Sequence, residues 1–272
     1  MNKDLDKIIM VMKQRHDRDI SIFDQSFLLK SLERRWIATG VNNTAEYCSC
    51  LEENHTEADA FYSSLHITFS QFFRNPLTFA LLEQLILPNL ISHRPDGREI
   101  RIWSAGCSNG QEAYSMGMLL SDLAETSGKE IRFRIFATDI LQEALAAGRA
   151  GVYDQNAVQN VKLKHLNKYF TMQGETYTIV PQLRQYISFS TYDLLDLSSA
   201  NPPESIYGDF DIVMCSNLLF YYKSNWQLVI IKRLQQAISA IGYLVTGEAE
   251  KTLVENTTKL QMIFTSNCCF KK

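Results

Sequence analysis

The chain has 272 residues, 46% of them hydrophobic, and a formal charge of −3. That length suits one large or two small domains with a sizeable buried core. The near-balanced charge gives no electrostatic case for nucleic acid, and no apolar run reaches the roughly 18 residues of a membrane span.

The opening Met1-Asn-Lys-Asp-Leu-Asp6 is acidic and polar, unlike a signal peptide, so a cytoplasmic protein without direct membrane insertion is expected. Residues 1 to about 90 read as helical and form the first expected domain. Leu28, Leu29, Leu32, Trp36 and Ile37 recur at helical spacing. Gly40 can end that helix and Thr44 can cap the next, which carries Tyr47 and Leu51 on its apolar side. Lys30, Arg34 and Arg35 add positive charge. Two readings fit such a basic face: simple solvation, or docking on an acidic partner helix.

After His93-Arg-Pro-Asp-Gly97, a turn-like linker, residues 91–272 change to alternating strands and helices. Strands are expected at Ile100–Ser104, Phe133–Thr138, Ile187–Ser190, Phe210–Cys215 and Tyr243–Thr246, with helices at 140–149 and 226–240 among the connections. This alternation predicts an α/β fold with a mostly parallel sheet covered by helices on both faces. Between about 160 and 186, Tyr169-Phe170, a turn at Gln173-Gly174-Glu175 and Thr176–Val180 predict a small antiparallel insertion. The tail 259–270 can add a final strand or hairpin. The six cysteines include Cys48-x-Cys50 and Cys268-Cys269 but no C-x-x-C pair, so they read as reduced structural thiols and no metal is expected.

The richest stretch is Arg101-Ile-Trp-Ser-Ala-Gly-Cys-Ser-Asn-Gly-Gln-Glu-Ala-Tyr-Ser115. A strand breaks at Gly106 and Gly110 and continues as a helix, which predicts free backbone N–H groups beside a ligand. Neither G-x-G-x-x-G nor G-K-[ST] is present, which argues against a dinucleotide, ATP or GTP. A bare strand–helix junction needing small residues also fits. Glu112, in the first turn, is placed to meet a cation such as an amine or sulfonium. Strand two ends in Thr138-Asp139, whose carboxylate can accept from both hydroxyls of a ribose. The third candidate strand leads to Asp193-Leu194, suited to an adenine, and strand four ends in Cys215-Ser216-Asn217. Singly, such acids are more often turn or cap residues. Four strand ends together favour a nucleoside ligand at the carboxyl edge of the sheet.

Ser70-Gln-Phe-Phe-Arg74, Trp103 to Ser115, Ala137-Thr-Asp-Ile140 and Phe210 to Tyr221, in this order, resemble the CheR family. These are chemotaxis receptor glutamate O-methyltransferases that use S-adenosylmethionine (SAM). Leu32-Glu-Arg-Arg-Trp-Ile-Ala-Thr-Gly40 is similar to that family's helical domain. The resemblance implies a Rossmann-like SAM-dependent methyltransferase sheet, an N-terminal all-helical receptor-docking domain and a small β-subdomain at the insertion. By position it implies that Arg74 contacts SAM and borders the substrate carboxylate, and that Tyr221 lies near the transferring methyl. Thr68 and Ser70 would line the cofactor, Glu112 hold the methionine amine, and Asp139 take the ribose hydroxyls. Asp193 and Leu194 would hold the adenine, with Cys215, Ser216 and Asn217 closing the pocket. Core packing beside Phe220 and Tyr222 is the other reading of Tyr221.

The resemblance implies a chemoreceptor's cytoplasmic helices as partner, and a monomer is the simpler oligomeric expectation. A glutamate carboxylate, with a reference pKa of about 4.3, is already ionised at neutral pH, so the implied ester-forming reaction needs no general base. Ser216 stands where the family carries Arg, and Ser31 and Ile37 where it often carries Arg. A non-catalytic SAM-binding adaptor and a methyltransferase for another substrate are the alternative functions.

Overall fold

The computed structural model describes residues 3–93, 97–128, 130–196, 198–199, 201–205, 207–264 and 267–272. It divides into two compact units: Met1–Ile67 with Phe220–Gln227, and Thr68–Leu219 with Leu228–Lys272. Three residues of the expected linker, 94–96, lie outside the described residues.

The first unit carries helices α1 (Lys3–His16), α2 (Gln25–Thr39), α3 (Thr44–Glu53) and α4 (His55–Ser64). Their ends follow from short polar side chains that satisfy the N–H groups a helix leaves open. Asp24 accepts from the amides of Ser26 and Phe27 to start α2, and Gly40, left-handed at φ 71°, ends it with its N–H on the Trp36 carbonyl. The cap of α3 is Asn43 rather than Thr44: its side chain accepts from the Glu46 amide at 2.9 Å. The Glu46 carboxylate in turn accepts from the Asn43 side-chain amide at 2.8 Å and from the Asn42 backbone N–H at 3.0 Å. Ile8, Met12, Leu28, Tyr47, Leu51 and Phe61 form the core. Leu28 and Leu32 of the predicted apolar stripe are buried, but Ile37 is 85% exposed.

The returning segment 220–227 belongs to this unit. The Asp24 amide donates to the Tyr221 carbonyl at 2.8 Å and the Lys223 amide to the Ile22 carbonyl at 3.0 Å. Phe23 stacks on Tyr222 at 5.4 Å.

In the second unit α5 (Pro76–Leu81) and α6 (Leu87–Ser92) are joined by a π-helical turn at Leu82–Ile86. There follow β1 (Ile100–Ala105), α7 (Gln111–Thr126), β2 (Phe133–Asp139), α8 (Gln142–Ala150), β3 (Val152–Asp154) and α9 (Leu163–Tyr169). Then come β4 (Phe170–Gln173), β5 (Thr176–Ile179), α10 (Pro181–Arg184), β6 (Ile187–Thr191) and β7 (Phe210–Cys215). The chain ends with α11 (Ser224–Ala237), β8 (Ile238–Thr246), α12 (Lys251–Thr257), β9 (Gln261–Met262) and β10 (Cys269–Lys271). The main sheet has the order β6-β2-β1-β7-β8-β10-β9. β6, β2, β1, β7 and β8 run parallel, and β10 and β9 are antiparallel.

This is the expected Rossmann-like α/β fold. Chain order reverses on either side of β1, and such a switch point opens a crevice beyond the carboxyl ends of the strands. The strands facing helices on both sides read as near-continuous apolar runs, and β7 is buried at every position.

Two boundaries differ from the sequence reading. Residues 238–240 extend β8 instead of α11, because Ile238 pairs with Phe210. The small sheet has three strands, β3-β5-β4. Its β3 at 152–154 lies outside the expected insertion and is too short to carry a period.

Candidate active site

The β1–α7 turn is built on positive-φ residues: Gly106 at 73°, Ser108 at 51° and Gly110 at 87°. At Gly110 a Cβ would stand 2.8 Å from the Phe189 ring, so glycine is required by both conformation and space. Four of the turn's N–H groups, those of Gly106, Cys107, Ser108 and Gly110, are not left free as its sequence suggests. Gly106 and Cys107 both donate to the Thr138 carbonyl at 2.8 Å, and Gly110 donates to the Cys107 carbonyl at 2.9 Å. Ser108 N–H donates to Asp139 Oδ2 at 2.8 Å. A phosphate-cradling loop keeps these donors for its ligand. Here they are spent internally, and what the turn presents is a carboxylate.

That carboxylate is Glu112, half-buried in the first turn of α7. Ser104 Oγ donates to its Oε1 at 2.7 Å. Burial pushes its pKa up, while hydrogen bonds from Ser104 and Ser216 pull the other way. No ion pair to Glu112 forms among the described residues. A desolvated carboxylate held by hydroxyls, with no ion-paired cation among the described residues, is an acceptor for an ammonium group.

Asp139, at the end of β2, is half-buried. Beside the Ser108 bond, its Oδ1 accepts from the Leu141 amide at 3.0 Å. These two N–H bonds lock the carboxylate and leave lone pairs for hydroxyl donors. Asp193 accepts from the Leu195 amide at 2.8 Å, Leu194 is buried, and the almost buried Arg233 donates to the Asp193 carbonyl at 3.2 Å. Arg233 also lies 5.7 Å from the Tyr192 ring; no sequence signal had marked it, because it sits on a distant helix.

At the end of β7, Cys215 is fully buried, and burial drives its thiol pKa well up, as it does for Cys107. Ser216 lies at the Glu112 carboxylate. Asn217 adopts φ 60°. Below this turn is Glu250, 1% exposed, whose Oε1 accepts from the Leu219 amide at 3.3 Å.

The segment entering the unit supplies Thr68, Ser70 and Arg74. The Thr68 carbonyl accepts from Ser108 Oγ at 2.6 Å, tying this segment to the glycine turn. Ser70 is half-buried and Arg74 exposed. The Arg74 guanidinium lies 5.4 Å from the Phe69 ring and its charge lowers the pKa of Glu112. Phe73, before it, is buried yet left-handed at φ 50°, a conformation that costs about 1–3 kcal/mol for such a residue.

Thr68, Ser108 and Asp139 are thus linked by direct bonds, and Glu112 is linked in the same way to Ser104 and Ser216. Asp193 and Leu194 follow β6, at the same edge of the sheet. Tyr221 belongs to the first unit, where it packs on Phe27 at 4.7 Å and on Phe220 at 4.3 Å.

The donor set fits S-adenosylmethionine: a carboxylate without a cation for the amine, a locked carboxylate for the ribose, and a polar-apolar pair for the adenine. Among the described residues, no group of three or more His, Cys, Asp or Glu could hold a metal ion, and no helix is long and apolar enough to cross a membrane.

Residues 68–269 match the family described as CheR methyltransferase, SAM binding domain. The chemotaxis protein methyltransferase 1 of Pseudomonas aeruginosa is 33% identical over 183 residues, covering 66% of this chain and 64% of that protein. The chemotaxis protein methyltransferase of Escherichia coli is 28% identical, covering 90% and 82%. An uncharacterized 104.1 kDa protein of Rhodobacter capsulatus is 29% identical over 90% of this chain, which spans 25% of that protein.

Proposed function

Because the chain belongs to the CheR methyltransferase family, we propose that it methylates glutamate side chains on the cytoplasmic helices of a chemoreceptor, with SAM as donor. The observation that carries this reading is Glu112: a desolvated carboxylate without a cation of its own, at the switch point of the sheet. Bound SAM would supply an electrophilic methyl carbon on a positive sulfur to the glutamate oxygen, which would give a methyl ester and S-adenosylhomocysteine.

Glu112 binds the amine, Asp139 the ribose, and Asp193 with Leu194 the adenine. Thr68 and Ser70 line one side, and Cys215, Ser216 and Asn217 the other. Arg74 borders the acceptor carboxylate and orients it, with Tyr221 as the second catalytic residue. No residue needs to remove a proton, because the acceptor is already ionised. Attack neutralises a carboxylate and a sulfonium, so the protein's task is alignment and exclusion of water, worth about 7–11 kcal/mol when the reacting atoms are well placed. Arg74 must not grip too firmly, since binding the ground state as tightly as the transition state gains no rate.

Residues 1–90 serve as the docking domain and linker, with 91–272 as the transferase domain. On α2, Lys30 and Arg34 are exposed together with Ile37, a basic face with one apolar contact suited to an acidic helix. Arg35 contributes less, because it is held by Glu57. The protein acts in the cytoplasm as a monomer.

The test is transfer of labelled methyl from SAM to receptor-containing membranes, scored as methanol released by mild base. Base-labile label that is lost in Arg74→Ala is the expected result. SAM binding without transfer, followed by a large gain of rate in Ser216→Arg, would replace this reading by an adaptor that has lost turnover.

A further inference from the structure

We propose that His165 is a positioning residue for the reaction, acting through the ring of Phe73 to aim Arg74. The inference rests on the reading of Arg74 given above. Phe72 and Phe73 are both buried while Arg74 is exposed. An extended chain alternates faces, so two successive inward side chains followed by an outward one require a reversal. It occurs at Phe73, whose φ of 50° is disfavoured for a bulky residue and persists only where its surroundings hold it.

Three contacts hold Phe73. Its N–H donates to Ser115 Oγ at 3.0 Å, and Ser115 in turn donates to the Gln111 carbonyl at 2.7 Å. Phe79 meets its ring edge-on at 5.2 Å. The His165 imidazole lies on its face, with centroids 5.5 Å apart and planes 15° from parallel.

His165 is itself fixed. It is 0% exposed, and its Nε2 bonds Asp122 Oδ2 at 3.0 Å. Asp122 also takes Lys164 at 2.8 Å, Lys168 at 2.8 Å and the Tyr169 hydroxyl at 2.6 Å. The other ring nitrogen, Nδ1, is buried without a hydrogen-bond partner among the described residues. A group that only tied helices together would gain from using both nitrogens. What His165 presents is a flat, immobilised face, and the residue lying on that face precedes Arg74.

The experiment compares His165→Ala, His165→Phe and His165→Asn in the full chain. Phe keeps the flat face and loses the Asp122 bond, whose carboxylate retains Lys164, Lys168 and Tyr169; Asn can keep the bond and loses the face. Two quantities are read: kcat for methyl transfer to receptor membranes, and the initial rate of tryptic cleavage at Arg74–Asn75. Expected are a tenfold or larger loss of kcat and faster cleavage in Ala and Asn, with Phe within threefold of the parent in both. Parent-like kcat in Ala, Asn performing as well as Phe, or cleavage at Arg74 unchanged in Ala and Asn would each overturn the proposal. If Ala does not fold, Phe against Asn decides. Full activity in Arg74→Ala would instead overturn the reading of Arg74, and the cleavage rates would still report on what His165 positions.

Discussion

Two carboxylates, Glu57 in the helical unit and Glu112 in the sheet unit, lose hydration on folding and are treated in opposite ways. Glu57 in the helical unit is 6% exposed and fully met: Tyr47 donates at 2.7 Å, Arg35 Nε at 3.0 Å, and a second guanidinium nitrogen completes a forked pair. Glu112 in the sheet unit has hydroxyl donors and no paired cation, and burial raises its pKa. A buried charge with a built-in partner is part of the framework. One without a partner costs free energy and is worth keeping only for a partner that arrives.

The largest effect that tests this contrast is on stability. Glu57→Ala strands Arg35 and Tyr47; breaking a buried pair costs about 3–5 kcal/mol. Arg35 is 23% exposed and recovers some hydration, so about 2–3 kcal/mol in urea unfolding is expected. A loss below about 1 kcal/mol would put the two carboxylates in one class.

Glu112→Gln should leave the ligand-free protein as stable as the parent or slightly more so. SAM affinity measured by calorimetry should fall about 10–100-fold, the worth of a charge-assisted hydrogen bond. Unchanged affinity would remove Glu112 from the site.

The pH dependence sharpens the same point. The Glu112 carboxyl has an ordinary value of 4.5 and is raised in the fold. Its contribution to the stability of the ligand-free protein is greatest below 4.5 and is lost as pH rises through the raised value. SAM affinity should move oppositely, strengthening over that window as the carboxylate ionises, and Glu112→Gln should flatten both curves. His165 has the other sign: burial lowers it from 6.5, so its contribution is present above 6.5 and is lost as pH falls below. His165→Phe should remove that part of the slope in thermal unfolding as pH falls below 6.5.

The smallest effect is at Ser216. Ser216→Ala removes one hydroxyl from Glu112 and should weaken SAM binding by no more than about tenfold, because the hydroxyl acts on the ligand only through a carboxylate that keeps the Ser104 bond. A larger loss would make the hydroxyl a direct contact to the ligand.

Much of the frame is legible in the amino-acid order. Gly106 and Gly110 mark the turn after β1, and the run from Phe210 to Cys215 marks a strand buried on both faces. The helix end at Gly40 is equally local. Less legible is what shares a side chain. Arg35 reads as part of a basic face, yet Glu57, 22 residues away, turns it inward. The glycine turn reads as offering free N–H groups, yet the Thr138 and Cys107 carbonyls and Asp139 take those of Gly106, Cys107, Ser108 and Gly110. Segment 220–227 follows β7 in sequence but belongs to the helical unit.

By itself the sequence determined the element order, the parallel sheet and the kinds of side chain at each strand end. These depend on hydrophobic period and backbone punctuation, which act over a few residues. Only the tertiary structure decided which N–H groups stay open, which buried carboxylate has a cation and which does not, and that Phe73 is pressed into a left-handed turn beside Arg74. Each of those is an account of hydrogen bonds and packing between residues tens of positions apart, and chain order alone carries no record of how such partners are shared.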